Sequence, residues 1–151
     1  MLNRSTLFGI AAFLYAASFV VAAQKPPTAT SSTQSTANPP GWTLPPNAAD
    51  EQNPLKGDPK AVLTGKQLFG KKCQRCHGPG GKGDGPDADP DQQKDMDLTS
   101  AEHAARNPDG VIFYKVWNGR KKPKMPVFKE ELTKEQVWAL VSYVQTLRQK
   151  S

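Results

Sequence analysis

The chain has 151 residues, room for one ordinary domain plus flanking segments, and only 36% of them are hydrophobic, so any core is thin. Its formal net charge of +6 suits an anionic membrane or an acidic protein partner. Nucleic acid is set aside, because the chain has no zinc finger, no RNA-binding aromatic signature and no dense Lys/Arg tail.

The N-terminus reads as an export signal. Arg4 supplies the positive start, Leu7 to Ala23 is apolar or small apart from Ser18, and Val21-Ala22-Ala23 fits a small-residue cleavage site before Gln24. The same run lies at the short edge of what spans a bilayer. Residues 1–23 are therefore a signal peptide or an uncleaved anchor. Without a cysteine near that site, a lipid anchor there is excluded.

Residues 24–52 read as a linker. Eight of the 14 prolines fall between Pro26 and Pro59, and the remainder is rich in Ser, Thr, Ala and Asn. Such a composition buries too little apolar surface to offset the entropy of ordering. Trp42 and Leu44 are the exceptions, and their placement, packed or exposed, stays open.

Residues 53–151 form the expected domain, and its elements are helical. Asp58 is an N-cap with Pro59 at the first helical position, and Val62, Leu63, Phe69, Cys73 and Cys76 recur near helical spacing. Thr99-Ser100-Ala101-Glu102 reads as a capping box for a short helix. A further helix begins at Asn107-Pro108, presents Val111, Ile112, Tyr114 and Val116, and stops at Asn118-Gly119. The last has a Thr133/Gln136 capping box, a Leu132/Val137 staple and an apolar stripe of Val137, Leu140, Val141, Val144 and Leu147. Four short helices with long Gly/Pro loops make a core that needs a staple.

The only two cysteines stand in Cys73-Gln74-Arg75-Cys76-His77. On a helix, positions i, i+3 and i+4 share a face, so both thiols and the imidazole can meet one object. Cys-x-x-Cys-His is the signature of covalent haem attachment. A structural disulfide over so short a span constrains little chain. A thioredoxin-like pair wants a strand–helix context. A zinc site needs four ligands, and only His103 remains as a fourth soft or imidazole donor.

At this point residues 53–150 resemble the class I c-type cytochromes, specifically the bacterial monohaem type. Gly65, Phe69 and Cys73 stand at the family's spacing. Cys76-His77-Gly78, then Gly81 and Gly83-Asp84-Gly85-Pro86, look like the loop after the haem motif. Asp97-Leu98-Thr99, Asn118-Gly119-Arg120, Met125-Pro126 with Phe128, and Leu140 with Tyr143 follow in order. The resemblance implies an all-α cytochrome c fold of about four short helices wrapped around one covalent haem c. It implies that Gly65 lets the first and last helices cross closely. It implies His77 and Met125 as axial iron ligands, Cys73 and Cys76 as thioethers, and the Pro86 carbonyl as acceptor for His77. Arg120 is a candidate partner for a haem propionate. Met96, in the acidic Asp95-Met96-Asp97, His103 and an open site are the alternatives to Met125 at the sixth position, and His103 otherwise reads as a surface residue.

Charge is segregated. Arg120, Lys121, Lys122 and Lys124 flank Met125, Lys71, Lys72, Arg75 and Lys82 surround the attachment motif, and six aspartates lie between Asp84 and Asp97. A basic rim around the haem edge would steer the protein to a redox partner with an acidic docking face, a membrane respiratory complex or a periplasmic dehydrogenase. The expectation is a periplasmic one-electron carrier of the respiratory chain, not an enzyme, held at the inner membrane only if residues 1–23 stay attached. A tethered subunit of a membrane oxidoreductase and a haem enzyme or sensor with an open sixth site are the alternatives.

Overall fold

A computed structural model describes residues 39–148 of the chain. The expected export segment and residues 24–38 of the expected linker lie outside the described residues, as do residues 149–151. Among the described residues the structure is helical, with two isolated β-bridges and no strand, so the fold class is all-α. No described helix is long and apolar enough to cross a membrane.

Helix α1 (Pro59–Lys72) starts where its capping residues place it. The Asp58 carboxylate accepts from the Lys60 amide at 2.8 Å, and Pro59 occupies the first turn. The cap meets one of the amides a helix start leaves open, and proline removes another. Helix α2 (Gln74–His77) is a single turn carrying Cys76 and His77, and Gly78 ends it at φ 76°. That left-handed angle carries no Cβ penalty in glycine. A 3₁₀ turn at Pro90–Gln92 leads into α3 (Gln93–Met96). Both α2 and α3 fall in stretches expected as loop or as part of another helix, and each is too short to leave an amphipathic period. The described residues therefore hold six α-helices where about four were expected.

Helix α4 (Ala101–Arg106) is capped by Ser100, whose hydroxyl accepts from the His103 amide. The cap sits one residue later than expected, because Thr99 turns back to the Asp97 carboxylate through its amide and its hydroxyl, at 2.8 and 2.7 Å. Helix α5 (Asp109–Asn118) buries Val111, Ile112, Phe113 and Val116. Tyr114 is instead half-buried and donates its hydroxyl to Glu51. Helix α6 (Lys134–Arg148) opens on the expected capping box. The Thr133 amide donates to Gln136 Oε1 at 2.9 Å, and the Gln136 amide donates to Thr133 Oγ1 at 3.2 Å.

The core forms where α1 and α5 pack on α6. A Cβ built on Gly65 would lie 2.0 Å from the Ala139 carbonyl oxygen and 2.9 Å from Tyr143 Cβ, so only glycine allows this approach of α1 to α6. Phe69 lies against Tyr143 at 5.3 Å between ring centroids, and Phe113 stacks on Trp138 at 4.3 Å. The α6 stripe of Val137, Leu140, Val141, Val144 and Leu147 is buried throughout.

The packed region begins before Asn53. Ala48 is 2% exposed, the Gly110 amide donates to the Glu51 carbonyl at 3.1 Å, and Asn118 donates to the Thr43 carbonyl at 2.8 Å. Residues 39–52 thus belong to the domain surface rather than to a linker, held by backbone and aromatic contacts that composition does not report. Asn53 pins the entering chain to α6, donating to the Trp138 carbonyl at 3.1 Å and the Ser142 hydroxyl at 2.9 Å.

Candidate functional site

Cys73 caps α1 and precedes α2, which brings Cys76 and His77 round one turn later. The amides of Cys76 and His77 both donate to the Cys73 carbonyl, at 3.2 and 3.0 Å. The glycine-rich loop then folds back over this turn. Gly83 donates to the His77 carbonyl at 2.8 Å, and Asp87 to the Arg75 carbonyl at 2.8 Å. A Cβ on Gly85 would stand 2.2 Å from the Arg75 carbonyl oxygen. The absence of side chains is what lets this loop reach carbonyls that the end of α2 leaves open.

Cys73 and His77 border a cavity of about 450 Å³. Phe69, Leu98, Ile112, Val116, Leu140 and Val144 contribute its apolar lining, and Met125 borders it as well. A second cavity of about 110 Å³ shares Cys73, His77 and Met125 and adds Cys76. The larger volume falls in the ~300–1,000 Å³ range of cofactor sites.

His77 Nδ1 lies 2.8 Å from the Met96 carbonyl oxygen. A carbonyl only accepts, so Nδ1 carries the proton and Nε2 keeps its lone pair for a metal. Burial lowers the His77 pKa, opposed by its bond to Met96, which leaves the imidazole neutral at pH 7. The acceptor is therefore Met96 and not Pro86, which is exposed. The Leu98 amide, bonded to the Gly81 carbonyl at 2.7 Å, and the Lys82–Asp97 bridge draw the end of α3 back beside α2.

Met125 sits in a loop held by its backbone. It exchanges two hydrogen bonds with Arg120, at 2.9 and 2.8 Å, after Gly119 turns at φ 62°. Arg120 borders both cavities, donates from Nε to the Pro123 carbonyl at 3.0 Å, and lies over the Trp42 ring at 4.4 Å. Lys115 approaches the same ring at 4.8 Å. Trp42, left open by the sequence, is thus part of the cavity wall, and Leu44 is half-buried.

Two residues of the larger cavity depart from the sequence reading, His103 by its placement and Arg148 by having no role there. His103 is half-buried and borders the cavity rather than standing at the surface, and Arg148 borders it too. Arg148 lies four residues after Val144 and so continues the apolar stripe of α6, a charge in a place that could have marked it.

Burial, and then the neighbouring Cys76, push the Cys73 thiol up to about 12, with Lys72 opposing. A thiol that holds its proton so firmly is a poor redox nucleophile. The residues present fit a haem: two thiols and a neutral imidazole beside an apolar cavity of cofactor size, with a thioether on its border. Two buried nitrogens of cavity residues, His103 Nδ1 and Arg148 Nη2, have no hydrogen-bond partner among the described residues.

Comparison with known proteins bears on the same residues. The family model described as Cytochrome c matches residues 62–148. A comparison with curated proteins finds none that matches. Among solved structures, the chain is similar to a component of the reducing HAO-like protein complex of Kuenenia stuttgartiensis, with 30% identity and a TM-score of 0.54. That match covers 62% of this chain and 46% of the other, so the chain spans just under half of that protein. A c-type cytochrome designated KustC0563 is 31% identical, with a TM-score of 0.46 over 56% of this chain and 96% of its own. Cytochrome cL from the marine methylotroph Methylophaga aminisulfidivorans is 21% identical, with a TM-score of 0.49 over 63% of this chain and 60% of its own.

Proposed function

From the premise that the chain belongs to the cytochrome c family, we propose that it is an exported one-electron carrier with a single covalent haem c, axially ligated by His77 and Met125. The observation that carries this is the presence of His77 and Met125 on one cofactor-sized cavity, beside Cys73. When bound, the haem supplies a one-electron iron couple, and imidazole–thioether ligation raises its potential and closes the iron to outside ligands.

The chain's own residues do the positioning. Cys73 and Cys76 would hold the haem through thioether bonds. The Met96 carbonyl fixes the His77 ring and its tautomer. The paired backbone bonds of Arg120 and Met125 hold the loop that carries the Met125 thioether in place. Arg120 is the candidate partner for one propionate. The protein on this reading passes electrons and is not an enzyme, and it works in the periplasm, released or held by residues 1–23.

Partner choice rests on charge. Lys72 pairs with Glu131 and Arg75 with Asp87, which takes two cations out of the expected rim. Lys71, Lys82, Lys121, Lys122 and Lys124 stay exposed, and Val127 is 43% exposed within the Met125 loop. An acidic docking face fits that surface. Electron exchange with an acidic redox protein, followed by stopped flow, is expected to slow about tenfold or more between low salt and 0.5 M salt, because screening removes the attraction. A rate indifferent to salt would remove the steering idea.

The 30% identity to a component of a reducing HAO-like protein complex favours a second reading, a cytochrome subunit of a redox complex, of which a tethered subunit of a membrane oxidoreductase is one form. Cell fractionation separates the two: release with the periplasmic fraction supports the free carrier, and co-purification with one membrane complex supports the subunit.

A further inference from the structure

Arg148 ends α6 with most of its guanidinium spoken for. Nε donates to the Leu98 carbonyl at 3.4 Å, and Nη1 donates to the Asn107 carbonyl at 3.0 Å and to Gln145 Oε1 at 3.3 Å. Those bonds fix the plane of the group. Its last nitrogen, Nη2, is buried and has no acceptor among the described residues. His103, on α4, likewise has a buried Nδ1 with no partner among the described residues. Both residues border the larger cavity. A buried cationic donor left unpaired is costly, and native chains seldom tolerate it without a ligand to complete it.

The local charge balance points to the sign of that ligand. Asp109, an acid whose charge acts on Arg148, is itself engaged by Gln145. Burial, then Lys115, Arg148 and Arg106, pull the His103 pKa down to about 4. Burial and then Arg120 and Arg106 pull Lys115 down to about 8, with Asp95 opposing. Cations crowd this end of an otherwise apolar cavity. We propose that Arg148 and His103 form the seat of one porphyrin carboxylate, distinct from the place proposed for Arg120, and so set the haem's depth and part of its potential. This rests on the haem reading above. The free Nη2 offers two N–H donors on a group that keeps its charge, in a plane already set by the bonds from Nε and Nη1, which distinguishes arginine at this position from a flexible lysine ammonium. Three elements meet at this seat, because Arg148 also ties α6 to the carbonyls of Leu98 and Asn107.

The test is the reduction potential of the holoprotein in Arg148→Gln, Arg148→Lys, His103→Asn and Arg106→Gln, each checked for the far-red band of Met–iron ligation. Losing the guanidinium charge leaves the carboxylate uncompensated and favours ferric iron. Arg148→Gln is expected to lower the equilibrium constant for reduction about tenfold, or ~59 mV for one electron. Arg148→Lys recovers part of the loss. His103→Asn shifts in the same direction. Arg106→Gln, which removes a charge from an exposed residue paired with Glu102, shifts less than Arg148→Gln. Equal shifts in Arg106→Gln and Arg148→Gln, or none in Arg148→Gln, overturn the proposal. If Arg148→Gln does not assemble, His103→Asn decides, and an unchanged potential there overturns it. A wild-type protein without the far-red band would instead overturn the ligation reading on which this one stands.

Discussion

Gly65→Ala is expected to destabilise the holoprotein by roughly 3 kcal/mol, at the upper end of what overpacking a closed contact costs. The new methyl group would meet the Ala139 carbonyl oxygen at 2.0 Å and its carbon at 2.7 Å. Both are backbone atoms in the middle of α6, so no side-chain rotation relieves the clash. α1 and α6 must separate, and that opens contacts such as Phe69 against Tyr143. Alanine's better helix propensity returns only about 1 kcal/mol. Gly70 lies on the same helix and is the internal control. A Cβ there would find only Gln74 Oε1, at 3.8 Å, so Gly70→Ala should be neutral or stabilising by up to about 1 kcal/mol. Denaturant unfolding of the two variants separates a packing requirement from a general dislike of substitution in α1. Equal stability changes in both would remove the close crossing from the account.

The Cys73→Ala, Cys76→Ala double variant is expected to lose covalent haem entirely. Acidified organic solvent should extract all haem from it and none from the wild type. The remaining holoprotein should also unfold at a much lower temperature. The reason is the size of the cavity relative to the core. A space of about 450 Å³ runs between Phe69, Ile112, Val116, Leu140 and Val144, so the same side chains that form the core also enclose the haem. Without the bonds from Cys73 and Cys76, occupancy depends on affinity, and the apoprotein is left with an unfilled core. Haem that stays solvent-resistant in the double variant would show that attachment lies elsewhere.

Much of this was legible in the sequence because it was local. Asp58, Thr133 and Gln136 have the chemistry of helix caps, and each performs it. The α6 stripe follows from spacing alone. The attachment motif needs only five consecutive residues. What escaped depends on contacts between distant segments. The acceptor for His77 is a backbone carbonyl, which any residue could supply, so nothing in the side chains favoured Met96 over Pro86. Phe113 was left off the buried face of α5, although it is 3% exposed, because its partner is Trp138 across the core. Residues 39–52 looked too polar to order. Their order comes from Trp42 lying against Arg120 and Lys115, and from bonds to α5 made by Thr43 and Glu51. Arg148 was overlooked because a terminal arginine on a helix is ordinarily solvated.

The central claim is that His77 and Met125 together ligate one iron and close it to other ligands. The optical spectrum of the purified wild-type protein, ferric and then reduced under carbon monoxide, tests it most directly. The predicted result is a low-spin ferric haem with a far-red Met–iron band, and a reduced form indifferent to carbon monoxide. In Met125→Ala the band should vanish and carbon monoxide should bind. A wild-type haem that is high-spin and takes up carbon monoxide readily would contradict the claim and return the protein to the enzymes and sensors.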